Sequence, residues 1–272
     1  MGSERCIRDR PLHTWLPDAH VEAPTGGSVL LAGVLLKMGI YGFLRFAFPL
    51  FPAAALEFAP YLAGLGVAGV LYGALMAWTQ SDIKRLVAYS SISHLGYCLL
   101  GLAALSTAAA GGTLYLMISH GLTAAALFLV VGVLYERRHT REISEYGGLA
   151  GPMPLFAFCF AVAMLGSVAL PLTSGFVGEI LILSGSIGRF PVLTVCAVLG
   201  VVLGAVYMLN LYMRLMFGPI DQKNIGLQDL SAAEKGQLIP LVVLIVWLGV
   251  LPQPLLKRTE ITLRNYRQQV LR

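Results

Sequence analysis

Long apolar runs, each close to the ~20 residues a helix needs to cross a bilayer, alternate along this chain with short polar connections. Seven runs read as membrane segments: residues 26–48, 60–79, 86–105, 112–135, 152–187, 191–217 and 237–256. Ahead of the first stands Glu22-Ala23-Pro24-Thr25-Gly26-Gly27-Ser28, where Thr25 or Ser28 is the expected helix cap. Phe48-Pro49-Leu50-Phe51-Pro52 ends it, since closely spaced prolines cannot continue a helix. The 152–187 run is interrupted at Leu170-Pro171-Leu172-Thr173-Ser174-Gly175, which predicts a discontinuous helix whose second half carries Glu179. A plain proline kink is the simpler alternative. His120-Gly121, in the middle of 112–135, predicts a loosened helix there. Broken helices at membrane depth are tolerated where they line a cavity or are buried in protein.

The fold class expected is an all-α polytopic membrane protein with about seven transmembrane helices, at least one of them discontinuous. Residues 1–25 form an N-terminal segment with an interfacial turn, 26–256 the membrane domain and 257–272 a basic C-terminal tail. The stretch Leu256–Arg272 is weakly amphipathic and suits a membrane surface or a partner subunit.

Composition strengthens this picture. The chain is 57% hydrophobic and 12% charged, about half the charged fraction of a soluble domain, which sets soluble enzyme classes aside. Its net charge of +5 fits loops facing lipid headgroups rather than nucleic acid. Arg5, Arg8, Arg10, Lys84, Arg85, Arg137, Arg138, Arg141, Lys223 and Lys235 fall on one side of the membrane. That side is expected to face the cytoplasm or matrix, although Lys257, Arg258, Arg264, Arg267 and Arg272 collect on the other. Cys6, Cys98, Cys159 and Cys196 show no metal-ligand spacing, so neither zinc nor an iron–sulfur cluster is expected. Met1–Arg10 is polar and lacks the apolar region of a secretory signal.

Charges within the apolar runs carry the candidate chemistry. Lys37 lies in the first run and Glu179 in the interrupted one, where a lone charge costs roughly 2.5–3.5 kcal/mol and usually faces protein or water. A nearby carboxylate can switch such a lysine between its charged and neutral forms, and such a glutamate can load and release a proton. His94, beside Ser90, Ser91 and Ser93, and His120, beside Ser119 and Thr123, can pass protons through two ring nitrogens. The four together read as a proton or ion path. The plainer alternatives are a structural ion pair and ordinary interhelical hydrogen bonds. His13, Asp18 and His20 invite a metal reading, but the prolines and tryptophan around them suggest a rigid interfacial turn. No dinucleotide, P-loop or haem motif is present.

The stretch Pro11–His20 (PLHTWLPDAH), continued by Val21–Tyr41, resembles subunit 4 of proton-pumping NADH:ubiquinone oxidoreductase, respiratory complex I, whose bacterial equivalent is the M subunit. Gln80–Gly96, Ser119–Leu122, Val131–Arg137 and Gly175–Glu179 continue the resemblance, which runs from Pro11 to about Pro254. It implies an antiporter-like bundle of inverted repeats, in which Lys37 matches the central lysine, Glu179 the distal glutamate, and His94 and His120 the histidines between.

It further implies a proton-translocating subunit of an enzyme of respiratory electron transport, with no redox centre in this chain. NADH, FMN, iron–sulfur clusters and ubiquinone belong, on this resemblance, to partner subunits. The chain is expected to be one piece of a split or truncated subunit 4, since the motif that follows several helices in the family here follows only Met1–Arg10; the expected partners are lipids, other membrane-arm subunits and a second polypeptide supplying the earlier helices. The mitochondrial inner membrane is the expected location, with a bacterial inner membrane as the alternative. A multisubunit cation/proton antiporter or membrane-bound hydrogenase subunit is the alternative function, and a purely structural subunit the third.

Overall fold

The computed structural model describes residues 15–270. Ten helices account for nearly all of that length, and the only strand-like pairing among the described residues is an isolated bridge between Asp82 and Glu142. In chain order they are α1 (Trp15–Glu22), α2 (Thr25–Leu50), α3 (Pro52–Trp78), α4 (Ile83–Ala103), α5 (Thr107–Arg138), α6 (Pro154–Ser167), α7 (Ser174–Ser186), α8 (Pro191–Met216), α9 (Ala232–Val250) and α10 (Gln253–Val270). Six of them, α2 to α5, α8 and α9, are long and apolar enough to span a membrane, and α6 and α7 are shorter apolar helices. The 152–187 run is thus one segment broken in two, as its Pro/Gly punctuation predicts.

The bundle has an inner and an outer layer. In α4 and α5, 78% of the most apolar window is buried, against 28% in α2 and α8, so α4 and α5 form the axis. Small residues let helices touch: a Cβ on Gly112 of α5 would lie 2.7 Å from the Ile182 nitrogen of α7. One on Gly178 of α7 would lie 2.8 Å from the Leu116 side chain of α5. Such close approach is how membrane helices gain packing energy where no hydrophobic drive separates protein from lipid.

Polar locks hold the ends. Asp82 caps α4 by accepting from the Lys84 and Arg85 amides at 2.7 and 3.0 Å. Asp229 reaches back to accept from the Leu155 and Phe156 amides, satisfying the start of α6. Arg137, at the end of α5, grips Glu234 with two bonds of 2.7 and 2.8 Å. Glu234 also closes the capping box of α9 with Ser231.

Several expectations need correction. α5 runs unbroken through His120-Gly121. Gly121 serves close approach instead, since its Cβ would meet the Gly33 carbonyl of α2 at 3.0 Å. Neither Thr25 nor Ser28 caps α2; Pro24 occupies the cap position, and the Ser28 hydroxyl donates to the His20 carbonyl at 3.0 Å. Trp15–Glu22 forms a helix where a turn was expected, because a proline in the first helical turn needs no amide donor. The basic C-terminal stretch is a helix from Gln253, packed across the ends of α3 and α5.

Candidate functional site

Each relay candidate is placed by an irregularity in its helix or by a neighbour's. In α2, Leu31–Leu35 is a π-helical turn, and Lys37 follows it within one turn. A π turn widens the helix and disturbs its carbonyl ladder. The Lys37 Nζ folds back to donate to the Ala32 carbonyl in that turn. Lys37 is buried, as are His94, His120 and Glu179.

Glu179 is positioned by the break between α6 and α7. Ala169 (φ 58°) and Leu172 (φ 75°) both adopt left-handed backbone, rare for residues with a side chain. These two reversals end α6 at Ser167 and restart the chain at Ser174. The Ser119 hydroxyl of α5 donates to Ser174 Oγ at 2.7 Å and anchors the restart. Gly249 of α9 covers the Leu172–Thr173 backbone, leaving no room there for a side chain.

His94 stands at the centre. Its Nδ1 is 3.1 Å from Glu179 Oε1, and its Nε2 is 3.2 Å from Ser167 Oγ. The two ends of the broken helix therefore grip opposite nitrogens of one imidazole. With the proton on Nδ1, the ring donates to Glu179 and accepts from the Ser167 hydroxyl. The His120 ring lies 4.8 Å from that of His94, centroid to centroid. His120 Nδ1 has no hydrogen-bond partner among the described residues. Lys37 lines the groove between α2 and α5 into which Gly121, next to His120, also faces.

Three of the four candidates, Glu179, His94 and His120, thus meet on one buried line, while Lys37 lines the neighbouring α2–α5 groove and makes no direct hydrogen bond to His120 among the described residues. Ser167 was missed, because a serine near the end of an apolar helix carries no sequence signal of its partner. Lys84, counted as a loop charge, is buried in the first turn of α4 and donates to the Ala23 carbonyl at 2.6 Å. The metal reading finds no support in the described residues: His20 stacks on Phe128 at 4.6 Å and Asp18 pairs with Arg85 at 3.1 Å. His13 lies outside the described residues. No cluster of three or more His, Cys, Asp or Glu forms among them.

What these features define is an antiporter-like membrane bundle, with a broken helix closing on a buried histidine through a serine and a glutamate, and a buried lysine on a neighbouring helix. Residues 8–204 match the family described as NADH:quinone oxidoreductase/Mrp antiporter, TM, and the chain belongs to that family. It is 49% identical to NADH-quinone oxidoreductase subunit M of Rickettsia bellii over 94% of this chain and 52% of the relative. It is 44% identical to NADH-ubiquinone oxidoreductase chain 4 of Marchantia polymorpha over the same shares. The chain spans about half the length of these curated relatives.

Among solved structures, respiratory complex I of Thermus thermophilus superposes with a TM-score of 0.91 at 35% identity, covering 96% of this chain and 55% of that one. The Mrp complex of Dietzia sp. gives 0.87 at 21% identity over 97% and 58%, a likeness of fold alone.

Proposed function

We propose that this chain forms part of a proton-translocating subunit in the membrane arm of an NADH:quinone oxidoreductase. In this reading Lys37, His120, His94 and Glu179 relay the proton, with water bridging the gap beside Lys37. The observation that carries it is the His94 imidazole held at 3.1 Å from Glu179 and 4.8 Å from His120 inside the bundle. An imidazole bonded through one nitrogen to a carboxylate and lying beside a second, tilted imidazole can accept a proton on one side and release it on the other.

NADH, FMN, iron–sulfur clusters and quinone would then be handled by partner subunits. The partners proposed are the other membrane-arm subunits and the helices that make up the remaining length of the relatives. A bacterial inner membrane is the preferred location, because the subunit M relative is the more similar of the two, 49% against 44% identical. A cation/proton antiporter subunit is the second reading, carried by the shared family description.

Two measurements test this. Native membranes are extracted in mild detergent, and the band containing this chain is identified by mass spectrometry. Co-migration with NADH-oxidising subunits supports the proposal, and co-migration with antiporter subunits replaces it. In the same membranes Glu179→Gln is expected to abolish NADH-driven proton transport while leaving the assembled complex in normal amount. Normal transport by that variant removes Glu179 from the relay.

A further inference from the structure

The buried face of α7 continues past the relay. Glu179, Ile182 and Ser186 stand at helical spacings of three and four, so they line one stripe of the helix. All three are buried, Ile182 and Ser186 completely. At 1.5 Å per residue, Ile182 lies about 4.5 Å along the axis from Glu179, and Ser186 about 10.5 Å. The stripe therefore reads carboxylate, hydrocarbon, hydroxyl.

Ile182 is wedged against two other helices. A Cβ on Gly101 of α4 would lie 3.0 Å from its Cγ1, so the isoleucine fills the space which that glycine leaves. Around it are Cys98, Leu102, Ala110 and Leu116, members of the same apolar cluster. Thr113 of α5 is close by, but its hydroxyl is already committed to the Ala109 carbonyl at 2.9 Å. A water placed here would lack the two to four polar partners that hold water inside a protein.

Polarity returns beyond the isoleucine. Ser186 Oγ is buried and has no hydrogen-bond partner among the described residues. Such an orphan is uncommon in folded chains and calls for an explanation. Next to it, a Cβ on Gly185 would lie 2.7 Å from the hydroxyl of Ser106, the residue that caps α5. A cavity of about 210 Å³ adjoins this end, lined by Leu181, Thr107, Lys257, Thr259 and Glu260 among others.

We propose that Ile182 seals the relay at the α10 end of the bundle, a dry plug between Glu179 and the Ser186 hydroxyl. The inference rests on the proton-relay reading of Glu179. Hydrophobic constrictions gate by excluding water, and a relay wetted at both ends at once would let protons run back. Release then requires one water to pass Ile182. The Glu179 carboxyl gives its proton to that water, and Ser186 Oγ accepts a hydrogen bond from it while donating its own hydrogen toward the surface.

The test uses the intact purified complex in proteoliposomes with a pH-sensitive dye inside. NADH and quinone build a gradient, and its decay is followed once NADH is spent. Ile182→Ala leaves room for about one water. Decay is expected to quicken several-fold, and the proton-to-NADH ratio to fall. Ile182→Leu, which conserves volume, restores slow decay. Adding Glu179→Gln to Ile182→Ala also restores it, because the leak runs through that carboxyl. Ser186→Ala lowers the proton-to-NADH ratio several-fold without quickening decay. Native decay in Ile182→Ala overturns the seal. Fast decay that persists with Glu179→Gln overturns it too, by placing the leak in a loosened bundle. A native ratio in Ser186→Ala removes the serine from the exit. Normal transport by Glu179→Gln alone sinks the relay reading itself, whereas a tight Ile182→Ala beside an inactive Glu179→Gln sinks only the seal.

Discussion

His94 and Glu179 lie 85 residues apart in the chain, yet they meet at 3.1 Å inside the bundle. The contact depends on two local irregularities: the left-handed residues that break the helix before Ser174, and the glycines that let α7 press onto α5. It also constrains charge. Two imidazolium rings at 4.8 Å would repel by about 3 kcal/mol at an effective dielectric of about 20.

Ser167 supplies the second bond to His94, at 3.2 Å from Nε2. Ser167→Ala leaves a buried ring nitrogen without a partner, at a cost of about 1–3 kcal/mol. The proton-to-NADH ratio in inverted membrane vesicles is expected to fall about tenfold, with the complex present in normal amount and Ser167→Thr retaining transport. An unchanged ratio in Ser167→Ala would leave the serine a packing residue.

Gly178 precedes Glu179 and lies where any Cβ meets Leu116 at under 3 Å. Gly178→Val forces α7 away from α5 and costs about 1–3 kcal/mol as overpacking. It also carries Glu179 away from His94. Less assembled complex and a lower thermal unfolding temperature are expected, with Gly178→Ala milder. Full assembly and transport in the valine variant would show that α7 has slack the geometry denies.

How far the sequence foretold this site depends on what each residue signals locally. The break was visible because Pro171 and Gly175 interrupt an apolar run, and a helix cannot ignore them. Lys37, His94, His120 and Glu179 stood out because polar groups at bilayer depth are expensive. That they act together was read from their shared apolar setting and from the resemblance, but the contacts of His94 with Glu179 and His120 were not visible, since they depend on packing between helices distant in sequence. Gly121 was misread for the same reason: its use lies on Gly33 of another helix, not in its own. Lys84 was misplaced because Asp82 starts α4 just before it and draws it inside.

His20 gives a pH dependence outside the membrane spans. It is fully buried against Phe128, and burial, with the charges of Lys84 and Lys37 adding to it, lowers its pKa to about 4. Its unfolded value is near 6.5. The folded state therefore binds fewer protons between these values. Stability contributed here is full above about pH 6.5, declines as pH falls toward 4 and levels off below, by at most about 3 kcal/mol. Protection factors across α1, with the intrinsic pH dependence of amide exchange divided out, should fall over that window in the native chain and lose the dependence in His20→Leu. Protection factors that do not change between pH 7 and 4 in the native chain would show that His20 takes up a proton as readily in the folded chain as in the unfolded one.

Leu172 holds φ at 75° while its side chain is 70% exposed, so its identity matters to the backbone more than to the core. A leucine in this region costs on the order of 1 kcal/mol, a β-branched residue more, and asparagine less because it tolerates left-handed backbone. Leu172→Asn is expected to raise the thermal unfolding temperature of the complex slightly, and Leu172→Val to lower it. Leu172→Gly should fall near the native value, because relief of strain is offset by greater freedom in the unfolded chain. If all three unfold together with the native protein, the break that positions Glu179 carries no strain at this residue, and the α6–α7 turn is held by its hydrogen bonds, the Ser119–Ser174 and Thr173–Leu170 bonds among them, and by the cover of Gly249.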